Sequence, residues 1–169
     1  MVRRLFVIIL ALWAGILLFA PWKELYYQTE RILEKRQVIL ADEELREIPA
    51  GLRILHPRIL WNGFPVAQLK EAKFRTLLFA SELSGNGLIP EKTLQRLLPA
   101  VPERFVIRYE LWRPKRLSLL LNGPFGRAEG EYDLREKRLR LRLTDPKEIR
   151  ELKPHLKKID GVWIYERQF

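Results

Sequence analysis

Two histidines, His56 and His155, are the only imidazoles in the chain, and each stands beside a proline, as His56-Pro57 and Pro154-His155. Neither belongs to an H-E-x-x-H pair and the chain has no cysteine, so a catalytic metal has no donor set to build on. Ser81, Ser84 and Ser118 lack the G-x-S-x-G turn that presents a nucleophile, and no G-x-x-x-x-G-K-S/T run cradles a phosphate. The acidic patch Asp42-Glu43-Glu44 has adjacent carboxylates without calcium-loop spacing or a turn glycine, and reads as a solvated connection. Glu129, Glu131 and Asp133 alternate along one strand, where pairing with a basic row is simpler than acid–base catalysis. The residues therefore predict no enzymatic activity, no metal, no cofactor and no small-molecule substrate.

That basic row is Arg138, Arg140 and Arg142, interleaved with Leu139, Leu141 and Leu143. A strand puts every leucine on one face and every guanidinium on the other, whereas a helix would mix them. The arginines are either a solvated sheet face or contacts for anionic lipid headgroups. The strand that carries them closes a four-stranded β-meander over residues 104–144. Phe105, Ile107, Tyr109 and Leu111 alternate with mostly polar residues, and Leu117, Leu119 and Leu121, then Ala128, Gly130, Tyr132 and Leu134, continue the pattern. Turns are expected at Arg113-Pro114, Asn122-Gly123 and Arg135-Glu136-Lys137. Leu117, Leu119, Leu121, Tyr132, Leu134, Leu139, Leu141 and Leu143 form the candidate apolar groove or partner face.

Upstream, residues 52–56 and 58–61 read as a strand pair leading into Asn62-Gly63, the strongest short hairpin signal because both residues tolerate positive φ. A second turn is expected at Ser84-Gly85-Asn86-Gly87, and a short helix over 91–98 after Pro90. Downstream, Asp145-Pro146-Lys147-Glu148 has the cap, first-turn proline and glutamate of a helix start. That helix would turn Ile149, Leu152, Leu156 and Ile159 inward, bend at Pro154 and end at Gly161, with a last strand over 162–165. A Pro, basic strand, Asn-Gly and return strand occur near 56–65 and again near 113–125, either a duplicated unit or two ordinary hairpins.

At the N-terminus, Leu5 to Ala20 are sixteen consecutive uncharged, mostly large apolar residues after Arg3-Arg4. With Pro21 and Trp22 the run reaches the lower limit of about 17 residues for a membrane-spanning helix. Its anchoring side chains are Leu5, Phe6, Ile8, Ile9, Leu10, Leu12, Trp13, Ile16, Leu17, Leu18, Phe19 and Trp22, with Trp22, Tyr26 and Tyr27 suited to the headgroup layer. A cleaved secretory signal competes, but Leu18-Phe19-Ala20 has leucine where cleavage wants a small residue, and Pro21 would follow the cut. A buried helix of a soluble protein would need a polar face that the run lacks. Residues 23–36 follow as a juxtamembrane amphipathic helix with Leu25, Thr29, Ile32 and Leu33 inward. The boundaries are thus 1–22 for tail and anchor, 23–36 for this helix and 37–169 for one mainly β domain. The net charge of +10 is spread along the chain, without the concentrated patch and stacking aromatics of a nucleic-acid module.

This order of elements, with Leu121-Asn122-Gly123-Pro124-Phe125-Gly126-Arg127-Ala128-Glu129-Gly130-Glu131-Tyr132-Asp133-Leu134 in the meander, resembles the type II secretion system protein N group and the wider AsmA-like envelope proteins. The resemblance lies in layout and covers nearly the whole chain, although this chain is shorter than is usual there. It implies a non-enzymatic, single-pass inner-membrane protein with most of its chain periplasmic, accessory to a secretion assembly or handling lipid. Its partners would be membrane lipid and other envelope proteins. The expected fold is α+β, mainly β: a transmembrane helix, a juxtamembrane helix, then a curved antiparallel meander with flanking helices. The alternative is a membrane-tethered domain on the cytoplasmic side that binds polyanions, nucleic acid or anionic lipid, through its arginines.

Overall fold

Pro21 divides the N-terminal helical stretch in two. The computed structural model describes residues 2–41, 43–77, 79–95, 101–147, 149 and 152–169, without the side chains of residues 16–19; helix α1 is Val2–Phe19 and helix α2 is Trp22–Glu34. The residue before a proline is pushed out of helical geometry, and here Trp22 N–H donates to the Ala20 carbonyl across the break (2.9 Å). From Leu5 to Leu10 and at Leu12, α1 exposes its apolar side chains. Among the described residues no helix is long and apolar enough to cross a membrane.

Helix α2 buries a different stripe from the one its aliphatic residues suggest. Trp22 is in the core and Tyr26 packs beside it, whereas Leu25 and Ile32 are exposed and the Thr29 hydroxyl turns back to the Leu25 carbonyl (2.9 Å). The two aromatics at i and i+4 bury more apolar area than leucine and isoleucine would, and so decide which side faces the sheet. Trp22, expected among the anchoring side chains, is instead part of the domain core.

The strands form two sheets, antiparallel at every described pairing. Strands β1 (Val38–Ala41), β4 (Arg58–Trp61), β5 (Phe64–Gln68) and β8 (Ile89–Pro90) make a small sheet ordered β1-β4-β5-β8. The others are β2 (Glu44–Ile48), β3 (Gly51–Leu55), β6 (Glu71–Leu77), β7 (Ala80–Asn86), β9 (Arg104–Glu110), β10 (Arg116–Gly123), β11 (Gly126–Asp133), β12 (Arg138–Pro146), β13 (Leu156–Ile159) and β14 (Val162–Gln168). They run β13-β14-β12-β11-β10-β9-β7-β6-β3-β2 in one ten-stranded sheet. The fold is mainly β, and the expected meander is its central part, β9 to β12.

Several local expectations are overturned by pairing. Residues 52–56 and 58–61 do not pair: at His56 (φ 52°) and the fully buried Pro57 the chain turns a corner, and β3 and β4 lie in different sheets. The Asn62-Gly63 hairpin forms, with both residues at positive φ, but its repeat does not: Asn122 and Gly123 are paired inside β10, and the turn is Pro124-Phe125. The two units sit in separate sheets. Ser84, Gly85 and Asn86 belong to β7 instead of a turn, because the Phe105 ring lies over Gly85, where a Cβ would stand 2.5 Å from it. Leu111 and Leu134 lie beyond the ends of β9 and β11 and are exposed.

The helix expected from Asp145 is replaced by β12, which pairs Asp145 with Arg127 and Pro146 with Gly126. A proline at the end of a strand leaves no ladder donor missing, so pairing overrides the capping signal. Among the described residues that follow, a 3₁₀ turn, Lys153–His155, precedes β13, and Ile159 is exposed. A short helix α3 (Lys92–Gln95) follows β8; residues 96–98, expected to extend it, lie outside the described residues.

Candidate functional site

The register of the large sheet sorts its side chains by face. Leu117 pairs with Tyr109 and Tyr132, Leu119 with Ile107 and Gly130, and Leu121 with Phe105 and Ala128. Leu139, Leu141 and Leu143 then oppose Tyr132, Gly130 and Ala128. All of the predicted groove residues except Leu134 therefore share one face.

Each end of that face is covered. Phe125, Ala128 and Leu143 are buried with Leu121 beneath Ile149, Leu152, Leu156 and Trp163 of the C-terminal segment. Leu52, Ile54 and Ala72 are buried beneath Trp22, with Tyr26, Phe74 and Phe105 around them. Between these cores Leu117, Leu119, Tyr132, Leu139 and Leu141 are half-buried. The leucine face is closed at two places and remains an open strip between them.

The opposite face holds the cleft. About 670 Å³ of space is lined by Arg138, Arg140 and Arg142, by Arg108 and Arg116, and by Glu110, Glu129, Glu131 and Asp133, with Val106, Leu120 and Ile164 among them. The sheet is thus concave on its charged side. Arg116 pairs with Glu131 (3.1 Å), Arg138 with Glu136 (2.6 Å) and Arg108 with Glu82 (2.8 Å). Arg140 and Arg142 make no ion pair with any described residue. Backbone N–H groups of Glu136 and Arg135 donate to the Asp133 carboxylate (3.0 and 2.9 Å), hold its pKa below the ordinary value and shape the β11–β12 turn.

Glu71, which the sequence did not single out, organises the same face at β6. Arg53 Nε lies 3.0 Å away as an ion pair, Lys73 Nζ 3.2 Å, and Asn86 Nδ2 donates at 3.2 Å. Burial alone would raise its pKa, but the hydrogen bonds from Lys73 and Asn86 and the charges of Lys73 and Arg53 outweigh it and hold the carboxyl low. A lowered carboxyl contributes stability that is complete above its ordinary value of 4.5 and is lost as pH falls through the folded-state value. Urea unfolding across the acid range should therefore show Glu71→Gln removing part of that acid loss, about 1 kcal/mol after solvent screening. A variant with an unchanged acid limb would deny Glu71 this role.

The acidic patch is more than a solvated connection, since the Tyr26 hydroxyl donates to Glu43 (3.2 Å). Burial, then the charges of Glu43 and Glu30, raise the tyrosine pKa above its ordinary 10. Asp42 lies outside the described residues. His56 and His155 are both exposed, at the sheet corner and in the 3₁₀ turn, and the Ser81 hydroxyl is engaged with Thr76 (2.8 Å). Among the described residues no three His, Asp or Glu side chains converge as a metal site. No family model, curated protein or solved structure matches this chain.

Proposed function

We propose that α1 anchors this chain in the inner membrane of a Gram-negative-type envelope, with the β domain exported and acting by binding rather than catalysis. Its role would be accessory to a secretion assembly or in lipid handling. The observation that supports this reading is α1: an 18-residue helix, apolar around its circumference beyond Arg3-Arg4, whose side chains from Leu5 to Leu10 are left uncovered by the domain. Its apolar part, Leu5 to Phe19, is about 22 Å long at 1.5 Å per residue against a hydrocarbon layer of roughly 30 Å, so an anchor of this length requires the bilayer to thin around it.

Under alkaline carbonate extraction the full chain should remain in the membrane pellet, and Leu10→Lys, at a cost of about 2.5–3.5 kcal/mol near the span centre, should move much of it to the supernatant. A native chain recovered unprocessed without detergent would end this reading. A mature chain beginning after Ala20 would replace the anchor by a cleaved signal. A reporter fused after Phe169 and active only in the cytoplasm would reverse the topology.

Within this function, the half-buried strip around Leu119 and Leu141 is the contact surface. Photo-crosslinkers there that capture a protein favour the secretion role; lipid co-purifying with the chain favours lipid handling. The cytoplasmic polyanion alternative gains little from the cleft, where five arginines face four carboxylates and most of the charge is already matched.

A further inference from the structure

Ion pairing on the concave face leaves two guanidinium groups over. On β12, Arg140 stands in the ladder between Glu131 of β11 and Glu166 of β14, and Arg142 stands between Glu129 and Ile164. Opposite charges at such cross-strand positions ordinarily pair. Here each carboxylate turns to another arginine: Glu131 to Arg116 (3.1 Å) and Arg113 (3.6 Å), Glu129 to Arg127 (2.7 Å), and Glu166 to Arg138 (4.0 Å). Arg140 and Arg142 are exposed and make no hydrogen bond or ion pair with any described residue. Two residues apart on one strand, they have Cα atoms about 7 Å apart, and both line the cleft. The same cleft presents hydrocarbon. In the cross-strand row of Arg142, beyond Glu129, come Leu120 and then Val106, both half-buried, with Val106 three strands or about 14 Å from Arg142.

We propose that this cleft binds a phosphorylated amphiphile, one molecule at a time, with its phosphoryl group between Arg140 and Arg142 and its hydrocarbon along Leu120 and Val106. The ligand class rests on the lipid-handling role proposed above, and the site lies on the face opposite the leucine strip. Two guanidinium forks match a dianionic phosphomonoester in charge and in hydrogen-bond geometry, and their length lets them converge on one phosphoryl group. Glu129, which separates Arg142 from Leu120 in the row, is turned toward Arg127. A volume of about 670 Å³ suits a single small ligand. An extended polyanion is disfavoured because Glu110, Glu129, Glu131 and Asp133 line the remaining walls. A phosphate without hydrocarbon would leave Leu120 and Val106 unused, and a flat bilayer cannot reach the floor of a concave sheet.

Phosphorus NMR titration of the full chain in nonionic micelles with monooctyl phosphate tests the site. The phosphoryl resonance should shift and broaden saturably. Its apparent affinity should fall about tenfold or more in Arg140→Gln/Arg142→Gln and stay within about twofold in Arg138→Gln, whose guanidinium is already paired with Glu136. All three side chains are exposed, so the circular dichroism spectrum should not change. Leu120→Ser should weaken monooctyl phosphate about fivefold and leave methyl phosphate as it was. Equal binding by the parent and the double arginine variant overturns the site. Methyl phosphate bound as tightly as monooctyl phosphate overturns the amphiphile and leaves a bare phosphate site. Lipid that co-purifies with parent and double variant alike, while the titration does not distinguish them, strikes the cleft and not lipid handling. The expected titration on a chain that yields no co-purified lipid supports the cleft and counts against the lipid-handling role alone.

Discussion

Trp22→Ala lowers the stability of the β domain by about 3–5 kcal/mol, the loss expected for emptying a buried tryptophan site. The side chain is 8% exposed, lies against Leu52, Ile54, Leu69 and Ala72, and meets the Phe74 ring edge-on with centroids 6.2 Å apart. Trp22→Phe should stay within about 1.5 kcal/mol of the parent. It keeps the aromatic contact and removes Trp22 Nε1, which is buried with no hydrogen-bond partner among the described residues. Urea unfolding of the full chain in micelles, followed by circular dichroism, separates the variants. If alanine proved as stable as tryptophan, the indole would be held by the headgroup layer instead of the sheet, and the junction between α1 and the domain would be loose.

Gly126→Ala should cost about 3–4 kcal/mol, because two independent penalties coincide. Gly126 has φ +94°, and an added Cβ would stand 1.7 Å from the Asp145 carbonyl oxygen, which backbone pairing between β11 and β12 holds in place. Gly161→Ala is the control: its φ is +80° but nothing lies within 4 Å of the added carbon, so only the backbone penalty of about 1–2 kcal/mol applies. The difference between the two variants in thermal or urea unfolding measures the close approach itself. Equal losses would mean that the β11–β12 pairing gives way at its end, and that the irregularity between Arg127 and Ala128 does not depend on glycine.

Both effects arise at contacts between residues about twenty or more apart in the chain, and the same is true of the expectations that failed. Ser84-Gly85-Asn86-Gly87 has turn composition, yet only Gly87 (φ +64°) turns, since Gly85 serves to admit the Phe105 ring. Asp145-Pro146 has a helix-start composition, but its neighbours in β11 offer a ladder that the local signal cannot compete with. For the site, alternation placed the leucines and the arginines on opposite faces, while the coverage of the leucine side at both ends depended on Trp22, Ile149 and Leu152 arriving from elsewhere in the chain, and the concavity of the arginine side on the curvature of the whole sheet.

What could be read from residue order was whatever depends on near neighbours. The uncharged run of α1, the Asn62-Gly63 hairpin and the period-two pattern of β9 to β12 are all set within about ten residues, where backbone preference and side-chain alternation act directly. Folding alone decided which strands became neighbours, which side of the sheet curled inward, and that the aromatic just after α1, Trp22, faces the domain core. Those outcomes rest on contacts between residues far apart in the chain, whose packing energy outweighs the local preferences that a sequence displays.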